Sequence, residues 1–228
     1  MSTELIIALD VDSPEEALKA VDACEGCRWF KIGLQLFSRT GPSIVREVME
    51  RDKNVFLDLK LHDIPNTVSK AAKAAADLGV GLITIHALGG KAMVEAARKA
   101  VEGSQTRVLA VTVLTSISDA VLASEMGIQE TTLQAVPRLA KLAVDAGAHG
   151  VVSSPLEVTA IRAAVGNAPE IVTPGVRPAW SSADDQARFV TPKEAAQSGS
   201  TFVVVGRPIL KHSSPSEAVR LVLEELNA

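Results

Sequence analysis

The chain has 228 residues, 47% of them hydrophobic, enough for one large domain with a sizeable core and too apolar for intrinsic disorder. A net charge of −4 without any basic tract argues against nucleic acid as the main partner, and no apolar run reaches the roughly 18 residues of a membrane span. A strand candidate is already under way at Leu5, so no signal peptide is expected and a cytoplasmic protein fits.

Apolar runs alternate with helical patterns along the whole chain. Strands are predicted over 5–10, 29–34, 55–60, 82–87, 108–114, 150–154, 171–175 and 202–207. Between them run segments of helical period, such as Val68, Ala71, Ala72, Ala75 and Leu78, or Val219, Val222, Leu223 and Leu226 near the end. Four helix starts share the pattern Ser/Thr-Pro-x-Glu, at Ser13, Ser154, Thr191 and Ser214; each offers a capping hydroxyl, a proline at the first helical position and a glutamate to reach back. Gly79, Gly103 and Gly147 mark helix ends. Residues 116–130 form an insertion predicted to add a short helix, and Pro137 blurs the start of the next one.

Eight strands, each followed by a helical segment and apolar enough to be covered on both faces, predict a single-domain (β/α)8 barrel over residues 1–228. The other architecture of this kind is an open doubly wound sheet, but no Gly-x-Gly-x-x-Gly turn follows the first strand. The two cysteines, Cys24 and Cys27, are half a zinc site at best, and they fall at a helix end rather than opening one as a redox pair would.

Barrel enzymes keep their chemistry at the C-terminal ends of the strands. Those ends carry Asp10, Lys31, Asp58 with Lys60, His86, Thr115 with Ser116, Ser154, Arg177 and Arg207, and no comparable cluster is expected at the opposite ends. The third strand is the most informative. Side chains alternate along it, so Asp58 and Lys60 share one face while Leu57, Leu59 and Leu61 take the other, and Pro65 ends the ladder just past Asp63. Charges there are costly to desolvate, so the pair is either a buried structural ion pair or part of an active site. Gly206-Arg207 after the last strand, with Pro174-Gly175-Val176-Arg177 after the one before, falls where barrels of this type bind phosphate. His62 and His86 read as packing or hydrogen-bonding residues, His149 and His212 as loop residues, and Met93 as core.

The stretch Asp58-Leu59-Lys60-Leu61-His62-Asp63-Ile64-Pro65-Asn66-Thr67 resembles the signature of the orotidine 5′-monophosphate decarboxylase family, bacterial branch. Ala8-Leu9-Asp10, Phe30-Lys31-Ile32-Gly33, His86-Ala87, Leu114-Thr115-Ser116, the segment Thr173 to Arg177, Asp185-Gln186 and Val205-Gly206-Arg207 follow in family order. The resemblance implies a decarboxylation of orotidine monophosphate to uridine monophosphate, in pyrimidine synthesis, with no cofactor and no metal. It also implies a homodimer whose active sites are shared across the interface.

Carried onto this chain, Lys31, Asp58, Lys60 and Asp63 would alternate in charge, with Asp63, Ile64 and Thr67 supplied by the neighbouring subunit. Lys60 would protonate C6 as carbon dioxide leaves, and Asp58 would orient it. Asp10 and Lys31 would hold the ribose, Thr115 would lie near the base, and Arg177, Gln186, Gly206 and Arg207 would take the phosphate. The rivals are a magnesium-dependent sugar-phosphate lyase of the same barrel group and a non-catalytic nucleotide-binding barrel.

Overall fold

The computed structural model describes residues 3–181 and 190–228. Eight strands pair in chain order, all parallel: β1 (Glu4–Ala8), β2 (Trp29–Gly33), β3 (Asn54–Leu61), β4 (Leu82–His86), β5 (Arg107–Val111), β6 (Gly150–Val152), β7 (Glu170–Thr173) and β8 (Phe202–Val205). Ile6 of β1 is in register with Val204 of β8, which closes the (β/α)8 barrel expected from the alternation of patterns. Each predicted strand falls on an observed one. The largest disagreement is at β5, which ends at Val111 although the apolar run continues to Leu114. Val113 is buried beyond the strand, so its hydrophobicity reports packing and not the ladder.

Among the described residues the outer ring contains α1 (Pro14–Ala23), α2 (Leu34–Thr40), α3 (Ser43–Met49), α4 (Pro65–Asp77), α5 (Gly90–Ala100), α6 (Asp119–Ser124), α7 (Thr132–Asp145), α8 (Val158–Val165), α9 (Pro192–Gln197), α10 (Arg207–Leu210) and α11 (Pro215–Leu226). The short helix expected in the insertion is α6. Helix α7 starts well before Pro137, at a Thr131/Gln134 capping box that a search for Ser/Thr-Pro-x-Glu does not find. Of the four proline-led caps, Ser154 and Thr191 form reciprocal boxes with Glu157 and Glu194. Ser13 accepts from the Glu16 amide, while Glu16 itself reaches the amide of Asp12. Ser214 departs from the expectation: its side chain caps nothing, and its amide donates to Nδ1 of His212 instead, a local partner that the four-residue pattern ignores.

Strand alternation sorts the core into two layers. Ile6, Ala8, Phe56, Leu82, Leu109, Val111, Val152, Val172 and Val204 fill the inside of the barrel. Leu5, Ile7, Phe30, Ile32, Leu57, Ile83, Ile85 and Val203 face the helices and pack with Val21, Val48, Ala72, Met93, Leu139 and Val222. Burying each large side chain of this kind contributes about 1.5–3 kcal/mol before entropy is charged. Cys24 and Cys27 belong to the outer layer as free thiols, and burial lifts their pKa to about 11 and about 12.

The foot of the barrel corrects one expectation. Charges do occur there: Arg107 pairs with Glu170, and its guanidinium lies 5.4 Å from the ring centre of Trp29 and 5.6 Å from that of Phe202. Both charged residues are the first of their strands, one position outside the apolar runs, so a boundary drawn on hydrophobicity leaves them out. Two edge-packed rings 5.4 Å apart and a cation over them close the floor, a structural use of charge.

Candidate active site

The mouth of the barrel continues the inner layer upward by one step of the two-residue period. Asp10 follows Ile6 and Ala8, Lys31 follows Trp29, Asp58 follows Phe56, and Gly206 follows Phe202 and Val204. The same alternation that buries apolar side chains in the barrel therefore delivers the polar ones into a hollow of about 360 Å³. Its walls include Asp10, Lys31, Asp58, Lys60, Thr115, Ser153, Arg177, Gly206 and Arg207.

Four of these side chains form a chain of charges. Lys31 Nζ donates to Asp10 Oδ1 at 2.9 Å and stands 3.9 Å from Asp58 Oδ2. Lys60 Nζ donates to that same Asp58 oxygen at 2.7 Å. Asp58 is 8% exposed, and a carboxylate so enclosed is tolerable because both its oxygens are bonded: the hydroxyl of Thr84 donates to Oδ1 at 2.9 Å. Gly33 keeps the cluster open. A Cβ on it would come within 3.0 Å of Lys31 Nζ and 3.6 Å of Asp10 Oδ1, pressing on the ion pair. Lys60 is held with φ at 50°, left-handed backbone that a lysine rarely adopts.

Asp63, Ile64 and Thr67 are exposed and do not line the hollow of their own chain; Asp63 Oδ1 accepts from the Ile64 amide at 2.7 Å. Within one chain the alternating row is thus Asp10, Lys31, Asp58, Lys60, and it stops at Lys60. Arg177 and Arg207 both open onto the hollow. The Arg177 residue is 7% exposed and its guanidinium makes no hydrogen bond or ion pair with the described residues, an arrangement suited to an anion. At Gly206 a Cβ would meet that of Ala8 at 3.3 Å, so glycine lets β8 run close to β1 under the rim. Gln186 lies outside the described residues, as does Asp185.

Two rim assignments are corrected. After β6 the serine that faces the hollow is Ser153, 1% exposed, while Ser154 serves as a helix cap; β6 ends at Val152, so the predicted strand ran too long. His86 ends β4 but is not part of the hollow; its ring lies 5.4 Å from that of His62. Burial first, and then the neighbouring His62 and Lys60, hold the His86 imidazole below its ordinary pKa. Thr84 was missed altogether. A threonine inside an apolar strand reads as an ordinary β-former, and its only sequence signal is that it sits at the inward-facing register two residues after Leu82.

Fold and site together define a (β/α)8-barrel enzyme whose ionisable groups are gathered at the C-terminal mouth around two lysine–carboxylate pairs. Residues 3–222 match the model of the Orotidine 5'-phosphate decarboxylase / HUMPS family, and the chain belongs to that family. An orotidine 5'-phosphate decarboxylase of Heliobacterium modesticaldum is 48% identical over 230 residues, covering 97% of this chain and 95% of that protein. The enzyme of the same name from Opitutus terrae is 47% identical over 231 residues and covers all of both chains. Among solved structures, the orotidine 5'-phosphate decarboxylase of Lactobacillus acidophilus superposes with a TM-score of 0.89 at 38% identity over 100% of each chain.

Proposed function

We propose that this protein decarboxylates orotidine 5′-monophosphate to uridine 5′-monophosphate in pyrimidine synthesis, with Lys60 as the proton donor to C6 of the ring. The observation that carries the reading is the Lys60 ammonium, 2.7 Å from a buried Asp58 and inside the hollow onto which Arg177 and Arg207 open. Loss of carbon dioxide leaves negative charge on a ring carbon with no electron sink. A fixed ammonium group beside that carbon stabilises the charge as it develops and can then deliver a proton. Asp58 orients the lysine and stands beside the departing carboxylate. Asp10 and Lys31 hold the ribose hydroxyls, Thr115 lies near the base, and Arg177, Gly206 and Arg207, with Gln186, bind the phosphate.

Asp63, Ile64 and Thr67 complete the site of a neighbouring copy in a homodimer. Their exposure outside their own hollow supports this, as does Ile64, an isoleucine 66% exposed between them. Against a magnesium-dependent lyase stands the chemistry of the donors: a lysine ammonium occupies Asp10, and two ammonium groups flank Asp58. The test is the ultraviolet absorbance of orotidine monophosphate mixed with the protein after exhaustive chelation. Turnover under chelation is the expected result. Activity that is lost and returns with magnesium refutes the metal-free chemistry, and no spectral change at high protein concentration leaves a binding protein.

A further inference from the structure

Across from the charged part of β3, strand β4 presents one residue. The register pairs Leu57 with Ile83 and Leu61 with Ile85, so Asp58, Leu59 and Lys60 together face Thr84 alone. A bulge of this kind breaks the ladder and leaves backbone groups to find other partners. The Lys60 amide finds Thr84 Oγ1 at 2.8 Å, and the same hydroxyl lies 2.9 Å from Asp58 Oδ1, with Thr84 0% exposed. A hydroxyl has one proton and accepts through its lone pairs. An amide can only donate, so the threonine oxygen accepts from Lys60 and its proton goes to Asp58. One side chain thereby fixes the backbone from which the lysine springs and the carboxylate to which the lysine is bonded.

We propose that Thr84 is a positioning residue for the Lys60–Asp58 pair. It does not line the hollow and touches the reaction only through those two residues. The inference rests on the decarboxylase reading of the site. Without the hydroxyl, the left-handed Lys60 backbone loses its hydrogen bond and Asp58 Oδ1 loses its donor, so the ammonium is free to drift from its working position. A misplacement of about 1 Å costs about a hundredfold in rate. Phosphate binding, on the opposite strands, is untouched.

The experiment measures kcat and KM for orotidine monophosphate in Thr84→Val and Thr84→Ser, with melting temperatures alongside. Valine is expected to lower kcat about 10- to 100-fold with KM within about threefold, and serine, which keeps the hydroxyl, to recover most of the loss. If valine does not yield folded protein, Thr84→Ala against Thr84→Ser makes the same comparison. A hydroxyl-free variant with wild-type kcat, or a serine variant as impaired as the hydroxyl-free one, overturns the inference. Failure of the wild-type protein to turn over the substrate would instead sink the decarboxylase reading, so the two failures are separable.

Discussion

Replacing Lys60 by alanine tests the proposed chemistry most directly. The side chain contributes a positive charge and a proton, and the two can be weighed separately. Unit charges about 4 Å apart at an effective dielectric of about 20 interact by roughly 4 kcal/mol, or about a thousandfold in rate. A positioned proton donor contributes a further factor of about 10² to 10⁴. Lys60→Ala is therefore expected to lower kcat by about 10⁵-fold or more. The fold should survive, because Asp58 keeps the Thr84 hydroxyl at 2.9 Å and has Lys31 at 3.9 Å, so no buried carboxylate is orphaned. Affinity for the product nucleotide should stay within about tenfold, since Arg177 and Arg207 are unchanged. Turnover is followed by the absorbance change of the pyrimidine, and product binding by titration calorimetry. A variant that keeps more than about one per cent of wild-type kcat refutes the assignment of either role to this lysine. The full effect falls short of the largest enzymatic accelerations, and on the proposed reading binding energy from the remote phosphate is the source expected to supply any remainder.

Arg177→Ala removes the guanidinium of a largely buried residue that lines the hollow and is expected to weaken substrate binding about 10- to 100-fold, the worth of a charged hydrogen bond, read as a rise in KM; an unchanged KM would place the phosphate elsewhere. Mixing inactive Asp58→Ala and Asp63→Ala subunits is expected to regenerate activity through hybrid dimers that carry one intact site, whereas a mixture as inactive as its parents contradicts a shared site. Glu157 offers a test by pH. Burial lifts its carboxyl to about 7 against an ordinary value near 4.5, so the folded state holds a proton that the unfolded chain releases between those values. The associated stability is complete below about pH 4.5 and is lost as pH rises to 7. Glu157→Gln keeps an acceptor for the Ser154 amide, so its melting temperature should exceed that of wild type above pH 7, and the gap should close toward pH 4.5.

What could be read from the chain in advance depended on how local the determining physics was. Alternation of apolar and polar residues is local, and it placed all eight strands and put Asp10, Lys31, Asp58 and Lys60 at one mouth. Capping boxes are nearly as local, and Ser154 and Thr191 behaved as their four-residue pattern requires; Ser214 did not, because His212 lies outside that pattern and competes for its amide. The misses are tertiary. Arg107 and Glu170 meet across 63 residues of sequence, and neither side chain alone signals a sealed floor. Thr84 acquires its meaning only from a register shift in the neighbouring strand, and the choice of Ser153 over Ser154 turns on where β6 ends.

On the proposed chemistry, the backbone at Lys60 sets endurance against activity. A left-handed conformation costs a non-glycine residue roughly 1–2 kcal/mol, which glycine escapes. Selecting for heat tolerance alone would thus push this position toward the one amino acid with no side chain to offer. If Lys60 does the chemistry proposed for it, the scaffold carries strain at its working residue, and any effort to harden the barrel should leave that strain where it is.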